Sequence, residues 1–310
     1  MEFHHTSVLL KESVAALITN KSGVYVDCTL GGAGHSAAIV DLLNSEGHLV
    51  SIDQDQSAIA VGQQRLAHAS CKVTIVHDNF RNIGSILDSL SLECIDGVLF
   101  DLGVSSHQLD TAERGFSYMQ DAPLDMRMNS RQELSAFQIV NRYSQDQLER
   151  VIWEYGEERW AKRIAQFICK TRMNNSILTT GQLVEVIKQA IPAAARREGP
   201  HPAKRTFQAL RIEVNDELNI LRTTFETAAK RLRIGGHICI ITFHSLEDRI
   251  AKQTLQNLAK SCICPPQLPV CVCHTVPVVR NIGKPLQPSD EEVEINPRAR
   301  SAKLRIAEKI

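Results

Sequence analysis

Along the first hundred residues, short apolar runs alternate with amphipathic stretches. Val24 to Asp27 (VYVD) is short and β-branched, a glycine-rich turn follows at Gly31 to Gly34, and Ser36 to Leu43 (SAAIVDLL) carries helix-forming apolar positions. His48 to Asp53 (HLVSID) predicts a second strand before a helix near Ser57 to Ala67. Lys72 to Val76 (KVTIV) predicts a third, before a helix near Asn82 to Leu90. Gly97 to Leu102 (GVLFDL) is apolar almost throughout, the pattern of a strand covered on both faces. Repeated βα units predict a parallel sheet with right-handed crossovers.

From about Thr111 to Lys204 the pattern predicts helices and no strand. Trp160, Ile164, Phe167 and Ile168 share one helical face. Leu148, Val151, Ile152 and Tyr155 form a second stripe, opened by a capping box from Ser144 to Gln147. Leu183, Ile187 and Ile191 form a third, ended by Pro192. One long helix is expected over roughly Phe207 to Arg233, stopped by Gly235-Gly236. His237 to Phe243 (HICIITF) predicts the fifth strand, Ser245 to Asp248 opens a helix as a capping box, and Ala302 to Ala307 alternates like a last strand. The expected organisation is therefore an α/β sheet at 1–110 and 205–310, interrupted by a helical insertion at 111–204.

Length and charge narrow the class. A chain of 310 residues suggests two domains, or one enlarged by an insertion. Its 35 basic and 35 acidic side chains cancel, so no global field draws it to nucleic acid and any RNA contact must come from local patches. No run of about 18 apolar residues is present, and MEFHHTSVLLKES lacks the basic start and apolar core of a signal peptide. A cytoplasmic enzyme is expected, with no membrane partner.

The chemistry concentrates at predicted strand ends. Gly31 to Gly34 lets a ligand approach the backbone beside helix N–H groups, and Gly32, Gly34 and Ala37 satisfy a loose GxGxx(G/A) pattern. Asp53, about 20 residues on at the second strand end, is placed to accept bonds from ribose hydroxyls. NAD and S-adenosylmethionine both fit this much. The third and fourth strand ends favour S-adenosylmethionine. Phe80 in HDNF could cover an adenine face, or simply pack in the core. Asp101 leaves a buried strand where ligands bind in such sheets, with loop capping as the plain alternative.

The segments DCTLGGAGHS, DLGVSSHQLD, RGFS, PLDMRM, RTFQALRIEVNDEL, TFHSLEDR and NPRARSAKLRIAE, spread from His5 to Glu308, resemble the RsmH (MraW) family of bacterial 16S rRNA (cytosine-1402 N4)-methyltransferases. The resemblance implies a Rossmann-like S-adenosylmethionine-dependent methyltransferase sheet with an inserted all-helical substrate-recognition domain, acting on 16S rRNA in the small ribosomal subunit. Carried onto this sequence, it implies a cofactor site of Ala33, Gly34, His35, Asp53, Phe80, Asp101 and Gln108. Relatives often carry Gly where this chain has Ala33, and a methyl there is tolerable only if the backbone avoids positive φ.

Cytosine N4 is a poor nucleophile because its lone pair is delocalised. Asp101, or the Leu102–Ser105 backbone, is expected to orient it for direct methyl transfer without a covalent cysteine adduct. His244 and Ser245 follow the fifth strand, His244 as a base contact or a structural histidine and Ser245 as a helix cap. Arg196, Arg197, Lys204 and Arg205 lie in a Gly/Pro-containing stretch expected to be a mobile basic loop suited to phosphate contacts. Arg114, Arg127 and Arg131 could extend that surface, although Arg127 could equally form an internal ion pair. DNA is not expected, because Asp101-Leu-Gly-Val stands where amine-directed DNA methyltransferases carry a (D/N)PPY motif. A NAD-dependent oxidoreductase and a non-catalytic ribosome-assembly module are the competing readings.

Nine cysteines remain to be placed. Cys28, Cys71, Cys94, Cys169 and Cys239 are scattered through apolar segments, where reduced thiols are the default. Cys262, Cys264, Cys271 and Cys273 are clustered around a turn stiffened by Pro265, Pro266 and Pro269. Four thiols can hold structural zinc, but C-x-C is tighter than the usual C-x₂-C spacing, so free thiols and a redox pair stay open.

Overall fold

In the computed structural model, which describes residues 7–197, 199–265 and 270–310, the chain forms two compact units, one of Met1–Gly103 with Leu218–Ile310 and one of Val104–Glu217. His5, Glu198, Pro266 and Pro269 lie outside the described residues.

The first unit is built on seven strands: β1 (Val24–Asp27), β2 (His48–Asp53), β3 (Lys72–His77), β4 (Ile95–Asp101), β5 (Leu232–Thr242), β6 (Val279–Asn281) and β7 (Lys303–Lys309). Their order is β3-β2-β1-β4-β5-β7-β6. β1 to β5 run parallel, and β7 and β6 are antiparallel. The order reverses direction at β1 and β4, so their carboxyl ends flank the crevice where open α/β sheets bind ligands. β1 and β4 are buried on both faces, which explains their apolar runs. Gly97 on β4 pairs with Tyr25 on β1, and a Cβ at Gly97 would lie 2.9 Å from the Tyr25 ring. The space lets Tyr25 bury fully and bring its hydroxyl to the Thr19 and Asn20 N–H groups.

The second unit is helical, with helices Ser106–Asp110, Ala136–Arg142, Gln145–Gly156, Ala161–Arg172, Thr180–Ala190 and Lys204–Asn215. Among its described residues the only strand-like pairing is an isolated Pro123–Thr179 bridge. Leu148, Ile152, Ile164, Ile168, Leu183, Ile187 and Leu210 fill its core. Ser144 caps its helix through Gln147 as the sequence predicts.

Four boundaries differ from expectation. The predicted long helix is two, Lys204–Asn215 and Leu221–Arg231, broken where Asp216 takes φ 52°. Helix Lys204–Asn215 buries Phe207, Leu210 and Val214 in the helical core, so the unit boundary falls at Glu217/Leu218 rather than near residue 205; the first boundary falls at Gly103/Val104. β5 begins at Leu232 and runs through Gly235-Gly236, because the glycines accommodate a register shift against β4 instead of ending the segment. Among the described residues no helix is long and apolar enough to cross a membrane.

Candidate active site

Acidic residues end three of the parallel strands of the first unit. Asp27 closes β1 fully buried, and its carboxylate accepts from the Thr29 N–H at 3.0 Å and the Ser36 hydroxyl at 2.7 Å. These bonds fold the chain back at the mouth of β1. Thr29 Oγ1 in turn accepts the Asp101 N–H at 2.8 Å, fastening the loop to β4.

The loop then tightens around Ala33, whose N–H reaches the Leu30 carbonyl at 2.6 Å. Ala33 takes φ 59° and ψ 25°, so the backbone does adopt the left-handed turn, and this chain carries a methyl where glycine is favoured. Gly34 opens helix Gly34–Leu42, and a Cβ there would lie 1.9 Å from Ser7 Oγ.

Asp53 closes β2. Its Oδ2 accepts the Gly31 N–H at 2.8 Å and its Oδ1 the Asp55 N–H at 2.9 Å, so one carboxylate shapes the glycine loop and the next helix start. Burial pushes its pKa up to about 6, against the pull of those N–H groups. Phe80 follows β3 and meets Phe100 edge-on, with centroids 5.8 Å apart. It is partly exposed, so it packs and presents an aromatic surface at once.

Asp101 ends β4. Its Oδ2 lies 3.5 Å from His35 Nδ1, while Oδ1 is buried with no hydrogen-bond partner. Burial first, then the charges of Asp27 and Glu247, push this carboxyl well above the ordinary carboxylate range. An orphaned buried acceptor beside a glycine loop fits a ligand N–H group, whether a cofactor ammonium or a reacting amine.

After β5 comes His244, which, rather than Ser245, is the N-cap of helix Ser245–Leu258. Ser245 is the first helical residue; the cap shifts by one because Glu247 reaches back to the Phe243 and His244 N–H groups at 2.8 and 3.2 Å. His244 Nε2 lies 3.1 Å from Glu247 Oε1, and its Nδ1 is buried without a hydrogen-bond partner. Asp27 and Glu247 carry no sequence signal of this role: they stand within DCTLGGAGHS and TFHSLEDR, but nothing in one sequence separates a strand-end or cap-position acid from a site acid.

The structure thus brings Ala33, Gly34, His35, Asp53, Phe80 and Asp101 together at the carboxyl ends of β1 to β4, with His244 after neighbouring β5. Gln108 belongs to the helical unit, where its side-chain oxygen accepts the Ser105 N–H in a capping box. Arg196, Arg197, Lys204 and Arg205 also lie there, all exposed. The expected basic loop is in part helical: Arg196 ends the 3₁₀ turn Ala193–Arg196, and Lys204 and Arg205 form the first turn of their helix. Arg127 makes the internal ion pair, bidentate to Asp125 at 2.8 and 2.6 Å, and Arg114 donates to the Arg127 and Met128 carbonyls.

The profile of the MraW methylase family matches residues 2–310. A protein of Clostridioides difficile, ribosomal RNA small subunit methyltransferase H, is 57% identical over all of both chains. A protein of the same name from Clostridium botulinum (strain Kyoto / Type A2) is 55% identical, again over all of both chains. Among solved structures, an rRNA methylase of Streptococcus thermophilus aligns over 97% of this chain and 93% of its own, at 12% identity and a TM-score of 0.43.

Proposed function

Because the chain belongs to the MraW methylase family, we propose that it is an S-adenosylmethionine-dependent methyltransferase that methylates N4 of cytidine 1402 in 16S rRNA. We place its substrate within the small ribosomal subunit and its action in the cytoplasm. The observation that carries the reading is the orphaned Oδ1 of Asp101 at the end of β4.

The residues present fit the cofactor. Asp53 offers its carboxylate to the ribose hydroxyls, Phe80 an aromatic surface to the adenine, and Ala33, Gly34 and His35 a close backbone approach. Gln108 belongs to the cofactor set by family resemblance. When bound, S-adenosylmethionine supplies a methyl group on a positively charged sulfur.

Everything else falls to the chain. Asp101 accepts a hydrogen bond from the exocyclic amine, which turns the amine lone pair outward and raises its electron density. The same carboxylate takes the proton that the methylated amine must lose, a general-base contribution of about 10²–10⁴-fold. Holding the amine in line contributes up to roughly 7–11 kcal/mol. His244, with its unpartnered Nδ1, contacts the target base, which leaves its stack to enter. Arg196, Arg197, Lys204 and Arg205 meet phosphates.

A carbon-5 route through a cysteine adduct is disfavoured. Cys28, beside the glycine loop, is 1% exposed, and burial pushes its thiol well up. Cys239 is pushed up to about 12 in the same way. Neither supplies a thiolate at neutral pH.

The test is methyl transfer from labelled S-adenosylmethionine to small subunits lacking their native modification, with nucleoside mass spectrometry. N4-methylcytidine as the single product is expected. 5-Methylcytidine, or NAD binding in place of S-adenosylmethionine, would overturn the proposal.

A further inference from the structure

Among its described residues, the connection 259–278, between helix Ser245–Leu258 and β6, buries no side chain fully. It is closed at its base by the Val278 N–H on the Leu258 carbonyl at 2.7 Å. Beyond that point four of its described apolar side chains face water: Ile263 is 67% exposed, Val270 70%, Val272 64% and Val276 78%. Hydrophobic collapse would have turned these four inward. Instead the side chains that converge are the four cysteines, and the Sγ atoms of Cys262, Cys264, Cys271 and Cys273 all lie within 4.8 Å of one another.

We propose that Cys262, Cys264, Cys271 and Cys273 form a structural tetrathiolate zinc site that holds this connection together. A zinc ion with Zn–S bonds of about 2.3 Å needs sulfurs roughly 3.8 Å apart at tetrahedral angles. Cys271 and Cys273 stand 3.5 Å apart, and Cys262 and Cys273 3.8 Å. Both separations far exceed a disulfide bond of about 2.05 Å.

The surroundings suit thiolates as well as the spacing does. The Ile263 N–H points at Cys273 Sγ at 3.3 Å, the Cys264 N–H at Cys262 Sγ and the Val272 N–H at Cys264 Sγ, both at 3.4 Å. Thr275 Oγ1 lies 3.1 Å from Cys273 Sγ. Donors aimed at the sulfurs offset the negative charge that four thiolates bring to one zinc ion, the usual role of groups behind metal ligands. Four sulfur donors select zinc or iron over magnesium or calcium. The four-coordinate shell is closed, leaving no position for water or substrate, so the site is structural. On binding, four Zn–S bonds form and the four thiol protons pass to solvent, with no change of oxidation state.

The full-length protein, purified without chelator under reducing conditions, should carry one zinc ion per chain by elemental mass spectrometry. Cobalt replacing zinc should give the intense visible bands of tetrahedral thiolate coordination. The Cys262→Ser/Cys273→Ser variant should lose the metal and be cut by protease within 259–278 at least about tenfold faster. Should that variant fold poorly, native-state thiol titration of the unaltered protein decides: four thiols become reactive only after zinc is chelated. The proposal is overturned by iron in place of zinc, by disulfides, or by four thiols whose reactivity is the same with and without added zinc.

Discussion

The Asp101 carboxyl faces the buried His35 ring. His35 is 4% exposed, its Nε2 lies 3.2 Å from the Val8 carbonyl oxygen and its Nδ1 3.5 Å from Asp101 Oδ2. A carbonyl only accepts, so Nε2 carries hydrogen. Nδ1 can then face the carboxyl favourably in two ways: as an acceptor from protonated Asp101, or as a donor to its carboxylate. Burial raises the Asp101 pKa, which favours the first arrangement, the protonated acid facing Nδ1.

Replacing Asp101 by Asn should therefore lower methyl transfer by about 10²–10⁴-fold, the range of a lost general base. In the unaltered protein the rate should rise with pH through an acidic limb lying above the ordinary carboxylate range, and Asp101→Asn should remove that limb. The stability effect has the opposite sign. A carboxyl whose folded pKa is raised contributes stability below its unfolded pKa and loses it as pH rises through the folded value. Asp101→Asn should thus raise the urea midpoint, more at pH 8 than at pH 5. Equal midpoints at both values would remove burial as the cause of the shift.

Ala33 should become more comfortable as glycine. Its left-handed backbone carries a penalty of roughly 1–2 kcal/mol that glycine escapes, offset in part by the methyl group it buries in the core. Ala33→Gly is expected to stabilise the protein by about 0.5–1 kcal/mol in urea unfolding, and Ala33→Val to destabilise it. A loss of stability in the glycine variant would mean that methyl packing outweighs the backbone.

These two residues also show how far the sequence could be read. Asp101 was legible because a strand buried on both faces announces itself as an unbroken apolar run, and the acid that ends it stands out. The left-handed turn at Ala33 was not, since alanine carries no signature of positive φ. The same limit hid the helix break at Asp216, where neither glycine nor proline marks the turn and an aspartate adopts φ 52° instead. At Gly235-Gly236 the signal was present but ambiguous, because paired glycines end helices and also allow a strand to shift register. The cysteine convergence lay beyond periodicity altogether: sequence spacing alone does not say which way four side chains turn.

The basic residues of the helical unit should contribute unequally to RNA binding. Arg196 donates to the Ile191 carbonyl and Arg205 to the Glu157 carbonyl, so each is partly committed to its own fold. Arg197 and Lys204 make no side-chain hydrogen bond or ion pair among the described residues, and Lys204 sits at a helix N-terminus, where the dipole repels a cation unless an anion joins it. Arg197→Ala/Lys204→Ala should flatten the dependence of log affinity on log salt by about 1.4–1.8 for a 16S rRNA fragment. An unchanged slope in filter binding would move the phosphate contacts elsewhere.

The Asp125–Arg127 pair should make the helical unit acid-sensitive in a defined window. Burial raises the Asp125 carboxyl, but the bidentate Arg127 guanidinium outweighs it and holds the pKa below the usual carboxylate range. The pair is half-buried, and Arg127 Nη1 also donates to the Ser130 and Gln132 carbonyls, so the guanidinium fixes a turn as well as a charge. A carboxylate with a depressed folded pKa contributes stability above its unfolded value and loses it as pH falls through the folded one. Asp125→Asn should therefore cost about 1–2 kcal/mol at pH 7, and the gap to the unaltered protein should narrow below about pH 4, where an unperturbed aspartate protonates. Arg127→Lys should not restore the difference, because an ammonium cannot bridge both carboxylate oxygens and reach two carbonyls at once. A gap that stays constant from pH 7 down to pH 3 in urea titrations would assign the effect to packing instead of charge.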